Sequence, residues 1–286
     1  MSPEVTSFFH DESSTICHVV RESEGTCCAV VDAVLDFDEA AGRTKTEFAD
    51  QVAGFVREQG LEVVWILETH AHADHLSAAP YLKEQLGGRI GIGEHITDVQ
   101  KLFKELFNVE RTFNTDGSQF DHLFEEGERF NVGALEGQVL YTPGHTPACV
   151  TYVIGDAAFV GDTLFMPDGG TARADFPGGD AAALYRSIEK ILALPPETRL
   201  FVCHDYGPGG RAIAWETTVA EERARNIHVR EGVSEGEFVK MRTERDKTLK
   251  VPKLLIPSIQ INMRAGELPP PEDNGVSYIK IPLNRI

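Results

Sequence analysis

Val63-Val-Trp-Ile-Leu67 is an unbroken apolar run, and it ends abruptly in Glu68-Thr-His-Ala-His-Ala-Asp-His75. A strand with one face in water alternates apolar and polar residues, so a continuous run marks a strand buried on both faces. The chain must therefore build a sheet covered on both sides. The polar cluster then falls at that strand's C-terminal end, where the sites of layered α/β proteins gather.

The neighbouring segments agree with such a sheet. Thr15–Arg21 and Cys27–Val31 are short β-type runs separated by Glu-Ser-Glu-Gly-Thr, which predicts a hairpin leading into Asp32–Asp36. Residues 44–59 place Phe48, Val52, Phe55 and Val56 on one helical face, with Gly60 as the stop. A helix over about 75–86, a strand over 90–92 and a helix near 97–107 follow. Strands are expected over 137–141, 150–154, 157–160 and 200–203. A helix from Asp180 to about Leu194 has Asp180 as its N-cap. Beyond Gly207-Pro-Gly-Gly210 the composition shifts. Residues 215–229 and 234–247 are expected to be helical, the second opened by a Ser234/Glu237 capping box. Pro252, Pro257 and Pro269-Pro-Pro271 mark an irregular tail. The pattern is layered α/β with mixed sheets: one compact domain over residues 1–210 and a C-terminal helical extension over 211–286 packed on it.

With 42% apolar residues in 286, the chain has enough core to fold without disulfides. Its five cysteines are odd in number and form no C-x-x-C pair, so they are expected to be reduced thiols. Cys149 and Cys203 lie near the polar motifs but suit apolar packing. No apolar stretch is long enough to span a bilayer, and the N-terminus lacks the pattern of a signal peptide, so a cytoplasmic location is expected. A net charge of -18 disfavours nucleic acid and anionic membrane as partners.

The cluster itself has metal chemistry. In extended chain, residues two apart share a face, so His70 and His72 can aim at one ion, while Asp74 and His75 address a neighbouring position. Imidazole suits zinc, iron and related ions, and carboxylate adds charge. Three further residues stand at strand ends: His145 in Thr-Pro-Gly-His-Thr-Pro, Asp162 in Gly-Asp-Thr, and His204 after Leu200–Cys203. A lone His or Asp in such a place is commonly structural; four strand-end features in one chain point to convergence. His10, His18, His95, His122 and His228 belong to no cluster and are expected to be structural.

This series of motifs, H-x-H-x-D-H, Gly-His-Thr, Gly-Asp and a final strand-end His, resembles the metallo-β-lactamase superfamily over roughly residues 10–210. The resemblance implies an αββα sandwich of two mixed β-sheets flanked by helices, with the metal on one edge. Within the superfamily the chain more closely resembles bacterial persulfide dioxygenases, through the loop Gly161–Asp180, the motif Cys203-His-Asp-Tyr206 and the tail Lys253–Arg264. That likeness implies one Fe(II) per chain held by His70, His145 and Asp162, glutathione persulfide and O2 as substrates, and sulfite and glutathione as products. His72, Asp74, His75 and His204 would then orient those ligands by hydrogen bonds, with Asp74 and Tyr206 as catalytic candidates. Arg173 and Arg211 are the candidates for the glutathione carboxylates, with Lys253 and Arg264 behind them; Arg173 could instead pair with Asp175 or Asp168. Residues 240–250 look like a solvated, charge-rich face. The alternative is a glyoxalase II-like zinc hydrolase of glutathione thioesters, with one or two Zn ions bound directly by the same residues. A silent sensor and a secreted lactamase are the remaining classes. A homodimer suits such folds, with no interface indicated.

Overall fold

A computed structural model of the chain describes residues 2–285. Strands β1 (Glu4–His10), β2 (Thr15–Arg21) and β3 (Cys27–Val31) run as an antiparallel meander. A small hairpin of β4 (Val34–Asp38) and β5 (Arg43–Lys45) leads to helix α1 (Glu47–Glu58). Strand β6 (Glu62–Leu67) enters the first sheet parallel to β3 and carries the polar cluster at its end. After it come β7 (Leu76–Ser77), α2 (Ala79–Leu86), β8 (Arg89–Gly93), α3 (Ile96–Leu106) and β9 (His122–Phe124). The first sheet has the order β1-β2-β3-β6-β8-β9.

The second sheet is built from β10 (Arg129–Val132), β11 (Leu135–Tyr141), β12 (Val150–Ile154) and β13 (Ala157–Phe159). Helix α4 (Ala181–Leu192) then crosses to β14 (Arg199–Phe201), parallel to β13, and β15 (Glu216–Thr218) closes the edge. Helices α5 (Val219–Arg225), α6 (Glu235–Asp246) and α7 (Leu255–Asn262) complete the chain.

The two sheets face each other across a core that includes Val31, Trp65, Leu67, Phe124, Tyr152 and Phe201. Helices α1–α3 cover the outer face of the first sheet, where Ile66, Ile90 and Ile92 meet Val52, Leu82 and Phe103. Helices α4 and α6 cover the second, where Val160, Leu200 and Val202 meet Ile188, Ile191 and Phe238. The molecule is an αββα sandwich. The apolar run follows directly: successive residues of a strand point to opposite faces, so Trp65 and Leu67 enter the inter-sheet core while Ile66 meets the helices.

Four segments differ from the sequence expectation. Helix α1 begins at Glu47 because Arg43–Lys45 pairs with β4, and Asp36 on that strand accepts from the Phe48 N–H at 2.9 Å. The helix expected from His75 starts at Ala79, since Leu76 and Ser77 pair with Leu35 and Val34. The helix expected over 215–229 is shorter: Glu216–Thr218 is an edge strand on β14, and Thr218 caps α5. The tail contains α7, a buried helix. Pro257 is accommodated in its first turn, where a backbone N–H has no intrahelical acceptor. The N-cap Asp180, accepting from Ala183 N at 2.7 Å, and the Ser234/Glu237 capping box are both formed. No helix among the described residues is long and apolar enough to cross a membrane.

Candidate metal centre

The four strand-end features meet at one edge of the two sheets. His70, His145 and Asp162 each offer one ligand atom within 4.8 Å of the others, and so do His72, Asp74 and His75. His145 Nε2 is 3.6 Å and His70 Nε2 4.0 Å from Asp162 Oδ2. His204 Nε2 joins the two sets, 3.3 Å from both Asp162 Oδ1 and Asp74 Oδ2. Two glycines allow this approach. Gly161 has φ +50°, and a Cβ there would sit 2.6 Å from Thr69 Oγ1. Gly144 has φ +139° and faces the Leu184 backbone, where a Cβ would be 2.3 Å away. Glycine alone tolerates both the dihedral and the contact.

Each imidazole is tied through its outer nitrogen. His70 Nδ1 lies 3.0 Å from Thr69 Oγ1, whose hydroxyl donates to Asp32. His72 Nε2 donates to Asp32 Oδ1 at 3.0 Å and lies 3.3 Å from Glu68 Oε2. His145 Nδ1 donates to the Arg173 carbonyl at 2.9 Å, His75 Nδ1 to the Leu76 carbonyl at 3.1 Å, and His204 Nδ1 to the Ser14 carbonyl at 3.2 Å. The inner atoms are left over. His70 Nε2, His72 Nδ1, His75 Nε2, His204 Nε2, Asp74 Oδ2 and Asp162 Oδ1 are buried without a hydrogen-bond partner among the described residues. Orphaned buried polar atoms are costly. Lone pairs gathered at one place, with carboxylates among them, fit a bound cation. Burial holds His70 well below the usual imidazole range and His75 down to about 3, so both rings are neutral and free to ligate.

His72 and His75, expected to orient the other ligands by hydrogen bonds or to bind metal directly, make no hydrogen bond to those ligands among the described residues. Their hydrogen bonds go to Asp32 and to the Leu76 carbonyl rather than to His70, His145 or Asp162, and their free nitrogens face the same space. The orienting groups are Asp32, Thr69, Glu68 and backbone carbonyls. Burial of Asp32 is outweighed by His72 and the Thr69 donors, which hold its carboxyl below the ordinary range and keep it an acceptor.

The expected carboxylate-binding residues are occupied elsewhere. Both forks of Arg211 are taken, by Asp168 (2.6 and 2.7 Å) and Asp205 (2.6 and 2.8 Å), so it is a clamp between two loops. Arg173 lines the cavity beside His145, but its guanidinium binds Asp175 at 2.6 and 2.9 Å and the Lys250 carbonyl at 2.7 Å. Arg264 pairs with Glu110, and Lys253 lies 3.5 Å from Glu39. Tyr206 lines the cavity, 64% exposed, with its ring stacked towards His204. Cys149 and Cys203 are buried, and burial raises both thiols, Cys149 to about 12.

Residues 11–204 match the family described as the metallo-beta-lactamase superfamily. The chain belongs to that superfamily. It is 56% identical to a probable metallo-hydrolase of Burkholderia pseudomallei (strain 1710b), over 99% of both chains. It is 55% identical to glyoxylase B2 of Dictyostelium discoideum, covering 96% of this chain and 94% of that protein. Against the mitochondrial persulfide dioxygenase ETHE1 of Bos taurus the identity is 32%, over 92% of this chain and 89% of that one. The crystal structure of ETHE1 from Myxococcus xanthus superposes with a TM-score of 0.73 at 28% identity, over 92% of this chain and 100% of that one.

One residue that supports the histidine loop escaped the sequence reading. Asn262, at the end of α7, donates from Nδ2 to the His72 and His75 carbonyls, both at 2.8 Å, and accepts from Ser77 N at 2.8 Å. A side-chain amide nearly 190 residues downstream thus holds the backbone of the histidine loop. The only signal was its place in the tail segment already singled out by resemblance.

Proposed function

We propose that this protein is a cytoplasmic non-haem Fe(II) persulfide dioxygenase acting on glutathione persulfide and O2. The observation that carries this reading is the His70–His145–Asp162 set, two imidazoles and one carboxylate, of which His145 and Asp162 line a cavity of about 360 Å³. His70, His145 and Asp162 would hold an Fe(II) ion, which would supply a meeting point for O2 and a sulfur ligand. The likeness to ETHE1 proteins supports the same reading. The overall change balances as persulfide plus O2 plus water giving glutathione, sulfite and two protons. The S–S bond breaks, the terminal sulfur loses four electrons and O2 gains them.

The protein's own contribution is positional. The Arg173 carbonyl fixes the His145 tautomer, and Thr69 with Asp32 fixes His70 and His72. Phe165 and Phe176 give the cavity an apolar wall. Asp74 and Tyr206 line the same cavity, and in this reading they are the groups assigned to accept or donate a proton at the substrate sulfur.

A second reading has its own observation. The His72–Asp74–His75 set and His204 form a second position of free donors, which suits a two-zinc thioester hydrolase, and the Dictyostelium relative is named a glyoxylase. Oxygen uptake by anaerobically iron-loaded protein on addition of glutathione persulfide decides between them. Uptake matched by sulfite supports the dioxygenase; no uptake with iron verified in place sinks it. Metal content adds a check: His145→Ala should lose the iron, and His204→Ala should keep most of it. Equal loss in both would favour the paired site.

A further inference from the structure

The metal centre opens on two sides of unlike charge. On the Asp74–His75 side is a cavity of about 780 Å³ bordered by Glu12, Asp36, Asp38 and Glu47. Its two lysines are already near carboxylates: Lys45 is 3.5 Å from Glu47, and Lys253 is 3.5 Å from Glu39. This mouth repels anions. On the His145–Asp162 side the cavity of about 360 Å³ has apolar walls, Phe165, Phe176, Leu249 and Pro252, and four cations around it, Arg173, Arg242, Arg245 and Lys250.

Two of those four are committed. Arg173 is held by Asp175 and the Lys250 carbonyl, and Arg242 is buried against Asp246 and the Thr171 carbonyl. Arg245 and Lys250 are exposed, and among the described residues neither side chain has an ion pair or hydrogen bond. In a chain of net charge -18, two uncommitted cations at the mouth of the cavity that holds Asp74, His145 and Asp162 form a local reversal of the field.

We propose that Arg245 and Lys250 form an anion-recognition rim. They hold the carboxylates of a thiol-bearing substrate whose cysteinyl arm crosses the cavity and whose sulfur lies at His145 and Asp162. The rim selects carboxylate-bearing thiol derivatives over neutral or cationic ones, and the acidic mouth opposite reinforces that choice by repulsion. The placement of the sulfur rests on the proposed reading of the site; the rim itself does not depend on the reaction performed.

The test uses the metal-loaded full chain and two readouts. Titration calorimetry with reduced glutathione should show binding that weakens about tenfold or more in R245E/K250E, since charge-assisted contacts to carboxylates are the strong ones. Binding should be largely kept in R245K/K250R. Lys247→Ala, an exposed lysine that does not line the cavity, should leave it unmoved. In turnover, the preference in kcat/KM for glutathione persulfide over hydroxyethyl persulfide, which has no carboxylate, should shrink by a similar factor in R245E/K250E. Unchanged glutathione affinity in R245E/K250E, no measurable affinity in the unsubstituted protein, or equal loss for both persulfides would overturn the rim. If no persulfide is turned over at all, the dioxygenase reading falls while the calorimetry still decides the rim.

Discussion

An imidazole that is to ligate must offer a lone pair in a fixed direction, and that is settled here by what its other nitrogen touches. Asp32 carries the largest share. Its carboxylate accepts from His72 Nε2, from Thr69 N at 2.8 Å and from the Thr69 hydroxyl, all within a fully buried pocket. Asp32→Asn keeps the shape but removes the charge that favours a donating Nε2–H. Metal affinity is expected to fall about 10- to 100-fold with the fold intact, measured by competition with a chelator of known strength. Unchanged affinity would mean the His72 ring is set by packing alone. Asp32 was visible in the sequence only as part of the predicted Asp32–Asp36 segment. Nothing in its neighbours shows that the sheet places it against residues 69 and 72.

At the scale of elements, the two late helices matter for the site in a way their composition hides. Helix α6 was expected to be a solvated face, yet Arg242 and Asp246 are buried there, 1% and 4% exposed. Arg242 donates to the Thr171 carbonyl at 3.1 Å and Asp246 accepts from Ala174 N at 2.9 Å. The pair therefore holds the loop whose Arg173 carbonyl orients His145. An i,i+4 ion pair on a helix surface and one locked into a loop look alike in sequence; only the packing of α6 separates them. Helix α7 acts on the other side through Asn262. Asn262→Ala leaves two carbonyls and one N–H of the histidine loop unpaired in a buried setting. The cost is expected to be about 2–4 kcal/mol, seen as a lowered midpoint in denaturant together with weaker metal retention. Loss of stability with metal affinity untouched would show that α7 supports the fold but not the site.

Across the whole molecule, stability should depend on two histidines outside the metal-ligating cluster. His18 lies between the sheets against Phe159 and Phe201, donating to the Val202 carbonyl at 3.0 Å, and burial lowers its pKa to about 4. His228 accepts from Thr171 N at 3.0 Å, and burial lowers it also to about 4. Both folded values lie below the ordinary 6.5, so the unfolded chain binds protons first as the pH falls. Their contribution is fully present above about pH 6.5 and is lost progressively towards pH 4. The thermal midpoint is expected to be flat from pH 7 to 8 and to drop steeply between 6.5 and 4.5, with a smaller drop in His228→Asn. An identical profile in that variant would assign the acid sensitivity elsewhere.

The sequence alone determined the layers and the reactive edge. Its apolar runs, helical faces and strand-end motifs are local patterns, and local geometry is enough to say that Val63–Leu67 is buried on both faces and that His70, His145 and Asp162 stand at strand ends. Tertiary structure alone decided which charges are free. Arg173 and Arg211, singled out by motif, are consumed by Asp175, Asp168 and Asp205, while Arg245 and Lys250, dismissed as surface, border the cavity. A charge's availability depends on every partner within reach, and those partners come from segments far apart in the chain.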